Sequence, residues 1–257
     1  MSIIIKGNHV CLVPATNEDK RWIYDAGTNP DIARMMMGLP YFPDHPAPTW
    51  KEFCQYYPDF YFDGSAPEKG MSYIIYANDN IADGANCTGA ASCTNGVSNT
   101  DNPGYSVDAS CINYVSNTSD ISYTVDTSHL RPAGDTYDNA RTIRVGAIFY
   151  TCFYLKKHKA ELDIWMNDIK NCGMGYGPDA LRTLCRHLYD TQGISEFIIR
   201  PSARNQRAVK AYRKAGFKIC CKGHSLAKRI FMWRNYLPEY RVENYKDEVV
   251  MALKFHG

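Results

Sequence analysis

One short run, Cys172-Gly173-Met174-Gly175-Tyr176-Gly177, sets three glycines at alternate positions. Glycine adopts backbone conformations closed to other residues and lets a ligand approach the main chain. Directly after it, Pro178-Asp179-Ala180-Leu181 opens a helical pattern, so the loop amides and the positive end of a helix converge on one place. That combination suits a phosphate. No Gly-Lys-Ser/Thr follows, which excludes a Walker A loop. The preceding strand belongs to a hairpin, which argues against a dinucleotide fingerprint. A tight turn is the plainer reading of the same glycines.

A second set lies just upstream, in AELDIWM (160–166). Read as a strand, it turns Glu161, Asp163 and Trp165 to one face and Leu162, Ile164 and Met166 to the other. Two carboxylates on one face beside an anion cradle are candidates for a general base. A solvent-facing strand carboxylate is the alternative.

Several elements must position these groups. HVCLVPAT (8–15) and MSYIIY (71–76) alternate as strands, and RVGAIFYTCFYL (144–155) joins AELDIWM through the turn KKHK. Asn17-Glu-Asp opens an amphipathic helix to about residue 36, and Thr49 caps a second helix over TWKEFCQYYPDFYF. PDALRTLCRHLYD (178–190) is a helix with Leu181, Leu184, Cys185 and Leu188 on one face and Gly193 beyond its end. SEFIIR (195–200) is a buried strand. NQRAVKAYRKAGF (205–217) is a helix capped by Asn205 and ended by Gly216. FKICC and EVVMALKF (248–255) close the chain as strands, with a polar, aromatic connection between them. The order predicts an α+β layered fold.

The chain has 257 residues, 45% of them hydrophobic, and a formal net charge of +2. That is ample for a core and argues against a general nucleic-acid coat. No apolar run approaches the roughly 20 residues of a membrane span. The start, MSIIIKGNHVCLVP, is apolar too briefly for a signal-peptide core, so the expectation is a cytoplasmic chain with reduced thiols. The ten cysteines include no CxxC pair, and no metal site is expected. If disulfides form, Cys87, Cys93 and Cys111 are the candidates. Those three fall in residues 78–140, rich in Asn, Thr, Ser, Asp and Gly. With eight Asp, one Arg and neither Glu nor Lys, this stretch carries −7 and leaves +9 on the rest. It reads as an irregular or β-rich insertion within a single domain spanning 1–257, or as a partly disordered loop.

Beyond the glycine loop, Pro201-Ser202-Ala203-Arg204-Asn205 leads to Ala208, Tyr212 and Ala215-Gly216-Phe217. Here the chain resembles the GNAT superfamily of acyl-CoA N-acyltransferases: strand, glycine-rich loop, helix, strand, then Asn-x-x-Ala-x-x-x-Tyr-x-Lys-x-Gly-Phe. The resemblance is strong from about 144 to 221, weaker over 8–76 and absent over the insertion. It implies the GNAT fold, a mixed, mostly antiparallel sheet flanked by helices, and acetyl-CoA as cosubstrate. The cofactor-binding set it implies is Ile164, Met166, Cys172, Gly173, Met174, Gly175, Tyr176, Gly177 and Asn205, with the amides of 173–177 on the pyrophosphate. One departure is plain: the family usually opens this loop with Gln or Arg, where this sequence has Cys172. Asn205 contacts the pantetheine arm, caps its helix, or both. Tyr212 either protonates the leaving thiolate, as its phenol pKa of about 10 allows, or packs on an apolar face.

A narrower resemblance, to aminoglycoside 6′-N-acetyltransferases, rests on the strand Asp ten residues before the first loop glycine and on Pro-Ser-x-x-Asn. It makes Asp163 the base or amine anchor, with Glu161 second. The implied reaction is direct acetyl transfer to a primary amine of a small cationic molecule, a 6′-amino aminoglycoside leading. A covalent intermediate on Cys172 is the competing mechanism. A non-catalytic acyl-CoA-binding module and a protein or peptide acetyltransferase are the other classes. The expected partner is a small-molecule amine, with neither nucleic acid nor membrane, and a homodimer stays open. Met35-Met36-Met37 is core or pocket wall. The resemblance implies that the aromatics Tyr41, Phe42, Trp50, Tyr56, Tyr57, Phe60 and Tyr61 cover the acceptor side, where they stack on a sugar or an amine; surface packing is the equal alternative.

Overall fold

Short runs rich in β-branched and aromatic residues, most of them buried on both faces, build one eight-stranded sheet in the computed structural model, which describes residues 4–37, 47–78, 143–240 and 247–255. The strands are β1 (Ile5–Lys6), β2 (Val10–Pro14), β3 (Gly70–Ala77), β4 (Ile143–Thr151), β5 (Lys159–Met166), β6 (Glu196–Ile199), β7 (Lys218–Lys222) and β8 (Val249–Lys254). Their order is β1-β2-β3-β4-β5-β6-β8-β7. Every neighbouring pair is antiparallel except β5 and β6, which run parallel. A parallel pair needs a crossover, and helix α5 (Tyr176–Gln192) supplies it, directly after the glycine loop.

Helices cover both faces. Helices α1 (Lys20–Thr28), α2 (Pro30–Met37), α3 (Trp50–Tyr56) and α4 (Phe60–Asp63) pack Ile23, Ile32, Phe53 and Phe62 against Ile74, Ala147, Phe149 and Trp165 of the sheet. On the other face, α5 and α6 (Gln206–Lys214) lie over Leu12, Ile75, Ile148, Leu162 and Ile164. The predicted apolar stripe of α5 is fully buried, with Leu181, Leu184, Cys185 and Leu188 each at 0% exposure. Each leucine of that stripe contributes about 1.5–3 kcal/mol of burial. A smaller cluster joins β6 and β8 to α7 (Leu226–Asn235) through Ile198, Val250, Met232 and Tyr236.

The layered α+β expectation matches this architecture, with three local corrections. The first helix is two, because the α1 turn ends at Asn29 and Pro30, lacking an N–H, begins a new helix. The Thr49 helix is also two: Thr49 and Glu52 form a reciprocal capping box, but Pro58 interrupts before α4. The connection between the last two strands holds α7, whose weakly amphipathic sequence hid it; Ser225 caps it by accepting from the Lys228 amide. Residues 79–142, nearly all of the expected insertion, lie outside the described residues.

The glycine loop is fixed from behind. Asp179, in the first turn of α5, accepts the His9 amide at 2.7 Å and pairs with Arg182. Gly7 lets the β1–β2 hairpin approach this turn, since a Cβ there would lie 2.4 Å from Thr183 Oγ1. An acidic residue at a helix N-terminus also suits the dipole.

Candidate functional site

The parallel ladder between β5 and β6 runs from Lys159↔Glu196 to Glu161↔Ile198 and stops, while β5 continues to Met166. Beyond Glu161 the two strands part, so the β6-facing edge of β5 has no ladder partner. An open strand edge offers N–H and C=O groups to a ligand. A cleft of about 260 Å³ occupies the opening. Ile164 and Met166 of β5, the three loop glycines, and Asn205, Ala208 and Tyr212 of α6 line it.

Backbone geometry explains the loop. Gly173 and Gly175 sit at φ +92° and +90°, conformations strained for any L side chain. A Cβ added at Gly173, Gly175 or Gly177 would meet nothing within 4 Å, so the loop faces open space. Gly175 is the N-cap of α5 with no side chain to satisfy the first amides, which leaves them for a ligand. Asn205 caps α6, its Oδ1 accepting from the Ala208 amide at 3.0 Å. Cys172 is half-buried, its Sγ 3.9 Å from Met35 Sδ; burial pushes its thiol up, against a downward pull from Arg207.

The carboxylates of β5 diverge in role despite sharing a face. Asp163 is exposed as a residue, yet stands among enough protein atoms that lost hydration pushes its carboxyl up to about 6. The Tyr57 hydroxyl donates to Asp163 Oδ2 at 2.9 Å and partly offsets that rise, as does Arg200, while the Glu161 charge adds to it. A carboxylate near neutral pH is suited to move protons. Glu161 is committed elsewhere: it receives the Arg200 guanidinium at 2.5 Å and the Tyr236 hydroxyl at 2.7 Å. Arg200 also holds Glu248 at 3.0 Å, and Glu248 pairs with the fully buried Lys228 at 2.6 Å. The chain of charges ties β5, β6, β8 and α7 together where the strands part. Tyr212, at the cleft wall, is within electrostatic reach of Asp163; burial first, then that charge, pushes its phenol up, so it stays protonated.

Of the residues expected at the site, the structure brings Ile164, Met166, Cys172, Gly173, Gly175, Gly177, Asn205 and Tyr212 to one cleft. Asp163 and Glu161 stand on the other face of β5, beside it. Met174, 60% exposed, and Tyr176, packed at the core edge, lie in the loop but not on the cleft wall. Met35 and Met36 line the cleft, in keeping with a pocket wall. Sequence reasoning missed three groups. Tyr57 was one of a crowd of aromatics, with nothing to single out its contact with Asp163. Arg200 reads as the end of a buried strand. Arg207, Lys210 and Lys214 line the cleft, and their spacing along α6 was the available signal.

Among the described residues no group of three or more His, Cys, Asp or Glu is placed to hold a metal ion, and no helix is long and apolar enough to cross a membrane. Cys11, Cys54, Cys152, Cys172, Cys185, Cys220 and Cys221 are free thiols. Cys87, Cys93 and Cys111 lie outside the described residues.

Residues 117–218 match the family described as Acetyltransferase (GNAT) domain. The match reaches into the Asn- and Asp-rich stretch, further upstream than the motifs at 144–221. No curated protein matches the sequence. Solved structures share the fold at low identity. AAC(6')-Ib with ribostamycin and coenzyme A is 13% identical, TM-score 0.50, covering 96% of this chain and 94% of its own. Spermidine N-acetyltransferase from Vibrio cholerae, with CoA and spermine, is 10% identical, TM-score 0.50, covering 96% and 95%. The ribosomal L7/L12 alpha-N-protein acetyltransferase RimL, with coenzyme A, is 13% identical, TM-score 0.51, covering 98% of each chain.

Proposed function

We propose that this chain transfers an acetyl group directly from acetyl-CoA to a primary amine of a small molecule, a reading supported by the match of residues 117–218 to the Acetyltransferase (GNAT) domain family. The carrying observation is that one opening in the sheet joins an open glycine cradle to a phenol held protonated, and that a carboxyl raised to about 6 stands beside it on the neighbouring face of β5. The cradle fits a diphosphate, because two glycines at positive φ and a helix start with no side-chain cap border open space. The unpaired edge of β5 suits the amide groups of a pantetheine arm, with Ile164 and Met166 against its apolar parts. Coenzyme A in the solved AAC(6')-Ib and RimL structures supports the same carrier.

Acetyl-CoA supplies an acetyl thioester. Asp163, ionised above about pH 6, takes a proton from the acceptor's ammonium and frees its lone pair. Tyr57 fixes the Asp163 carboxylate by donating to its Oδ2. The amine nitrogen bonds to the acetyl carbon as the carbon–sulfur bond breaks, the Tyr212 phenol delivers a proton to the departing sulfur, and the nitrogen's second proton is lost to solvent, from which the phenolate takes one back to restore the phenol. Glu161 is a positioning residue here, holding Arg200 and the junction of β5 and β6. Cys172 is a poor alternative nucleophile, since burial favours its thiol form.

For the acceptor we infer a cationic amine, with a 6′-amino aminoglycoside the leading example. The strand Asp and Pro-Ser-x-x-Asn pattern supports it, as does the likeness to AAC(6')-Ib. The −7 carried by residues 78–140 favours cations wherever that stretch borders the site. The test is thiol release from acetyl-CoA across aminoglycosides, polyamines, amino acids and peptides. A polycationic acceptor is expected to dominate, with a KM that rises steeply with salt while that of acetyl-CoA rises less. Turnover confined to peptides or to neutral amines, or an acceptor KM indifferent to salt, contradicts this acceptor class.

A further inference from the structure

The loop opens with Cys172, which offers neither a cation nor an amide, and a guanidinium from α6 stands beside that thiol. Arg207 Nη1 lies 3.4 Å from Met35 Sδ, and the same sulfur lies 3.9 Å from Cys172 Sγ. Arg207 is close enough to draw the Cys172 thiol downward. It comes from the first turn of α6, across the cleft from the loop. A thioether is a weak acceptor for a group with five N–H donors. Among the described residues Arg207 has no carboxylate partner, and none of the residues lining the cleft is acidic. Lys210 and Lys214 follow at three and seven residues, on the same helix face, and also line the cleft.

We propose that this face of α6 is a second phosphate-binding wall, opposite the amides of the glycine loop. Arg207 takes the diphosphate, replacing from α6 the contact that Cys172 cannot make from the loop. Lys210 and Lys214 take a further phosphate on the nucleotide end of the carrier. The ligand class is therefore an acyl carrier ending in a 3′-phosphorylated adenosine diphosphate. This rests on the acyl-CoA reading and adds to it the groups that choose among carriers. A guanidinium makes two parallel hydrogen bonds to a diphosphate, whereas an ammonium serves as a point charge for a single phosphate.

The test is calorimetric binding of CoA, dephospho-CoA and pantetheine to the full chain and its variants. Wild type is expected to bind CoA more tightly than dephospho-CoA, and pantetheine most weakly. Arg207→Gln is expected to weaken CoA and dephospho-CoA alike by about 10–100-fold, as for a charge-assisted contact, and to leave pantetheine unchanged. Arg207→Lys recovers part of the loss. A Lys210→Gln, Lys214→Gln double variant is expected to erase the preference for CoA over dephospho-CoA. The side chains changed are exposed, and unaltered melting temperatures separate lost contacts from lost folding. Wild type binding CoA while Arg207→Gln binds it equally well overturns the wall alone. Wild type binding none of the three overturns the carrier reading and the wall with it.

Discussion

An Asp163→Asn variant is expected to lose about 10²–10⁴-fold in kcat, the usual worth of a general acid or base. Its amide keeps the shape and can still contact Tyr57, but it cannot accept the acceptor's proton. The pH profile makes the result specific. Lost hydration pushes the Asp163 carboxyl up to about 6, so the base form appears as pH rises through that value. Wild-type kcat/KM should therefore climb through about pH 6 and level off, and the variant should lack that limb. Stability moves the other way. A carboxyl whose folded pKa exceeds its unfolded value binds its proton more tightly when folded, so the ionised form opposes folding above about pH 6. The variant should be no less stable than wild type at neutral pH. Loss of activity together with lowered thermal stability would instead make Asp163 a structural group.

The second large effect is at the leaving sulfur. Tyr212→Phe removes one oxygen and keeps the ring that packs near Phe217. Burial and the Asp163 charge keep the phenol protonated at neutral pH, the form an acid must have. The variant should lose about 10²–10⁴-fold in kcat while its affinity for acetyl-CoA barely changes, because the hydroxyl acts late, on the departing sulfur. An unchanged kcat returns Tyr212 to packing. Equal losses in kcat and in acetyl-CoA binding make it a contact to the carrier rather than an acid.

The site was legible where chemistry follows from local sequence. Alternate glycines before a proline-started helix fix a loop, and residues 161–166 alternate in a strand, so the separation of Asp163 from Ile164 and Met166 followed from period alone. Contacts between distant segments were not legible. Tyr57 reaches Asp163 over 106 residues of sequence, and nothing local shows that Glu161, the second choice after Asp163, is held by Arg200 and Tyr236. The same is true of the fold. Pro30 and Pro58 each marked a break inside a periodic stretch, where period outweighed proline in the reading. Helix α7 was missed because its apolar residues do not gather on one face: Trp233 and Leu226 are exposed while Lys228 is fully buried against Glu248. A buried lysine answering to a glutamate twenty residues away leaves no local trace.

The central claim is that the Gly173–Gly177 loop holds acetyl-CoA at the opening between β5 and β6. Calorimetric titration of acetyl-CoA into wild type and a Gly175→Asp variant tests it most directly. The substitution sets a carboxylate, at a backbone position with φ +90°, where the diphosphate would lie. Wild type should bind and the variant, still folded by its melting curve, should show no measurable heat of binding. Equal affinity in the two proteins contradicts the account.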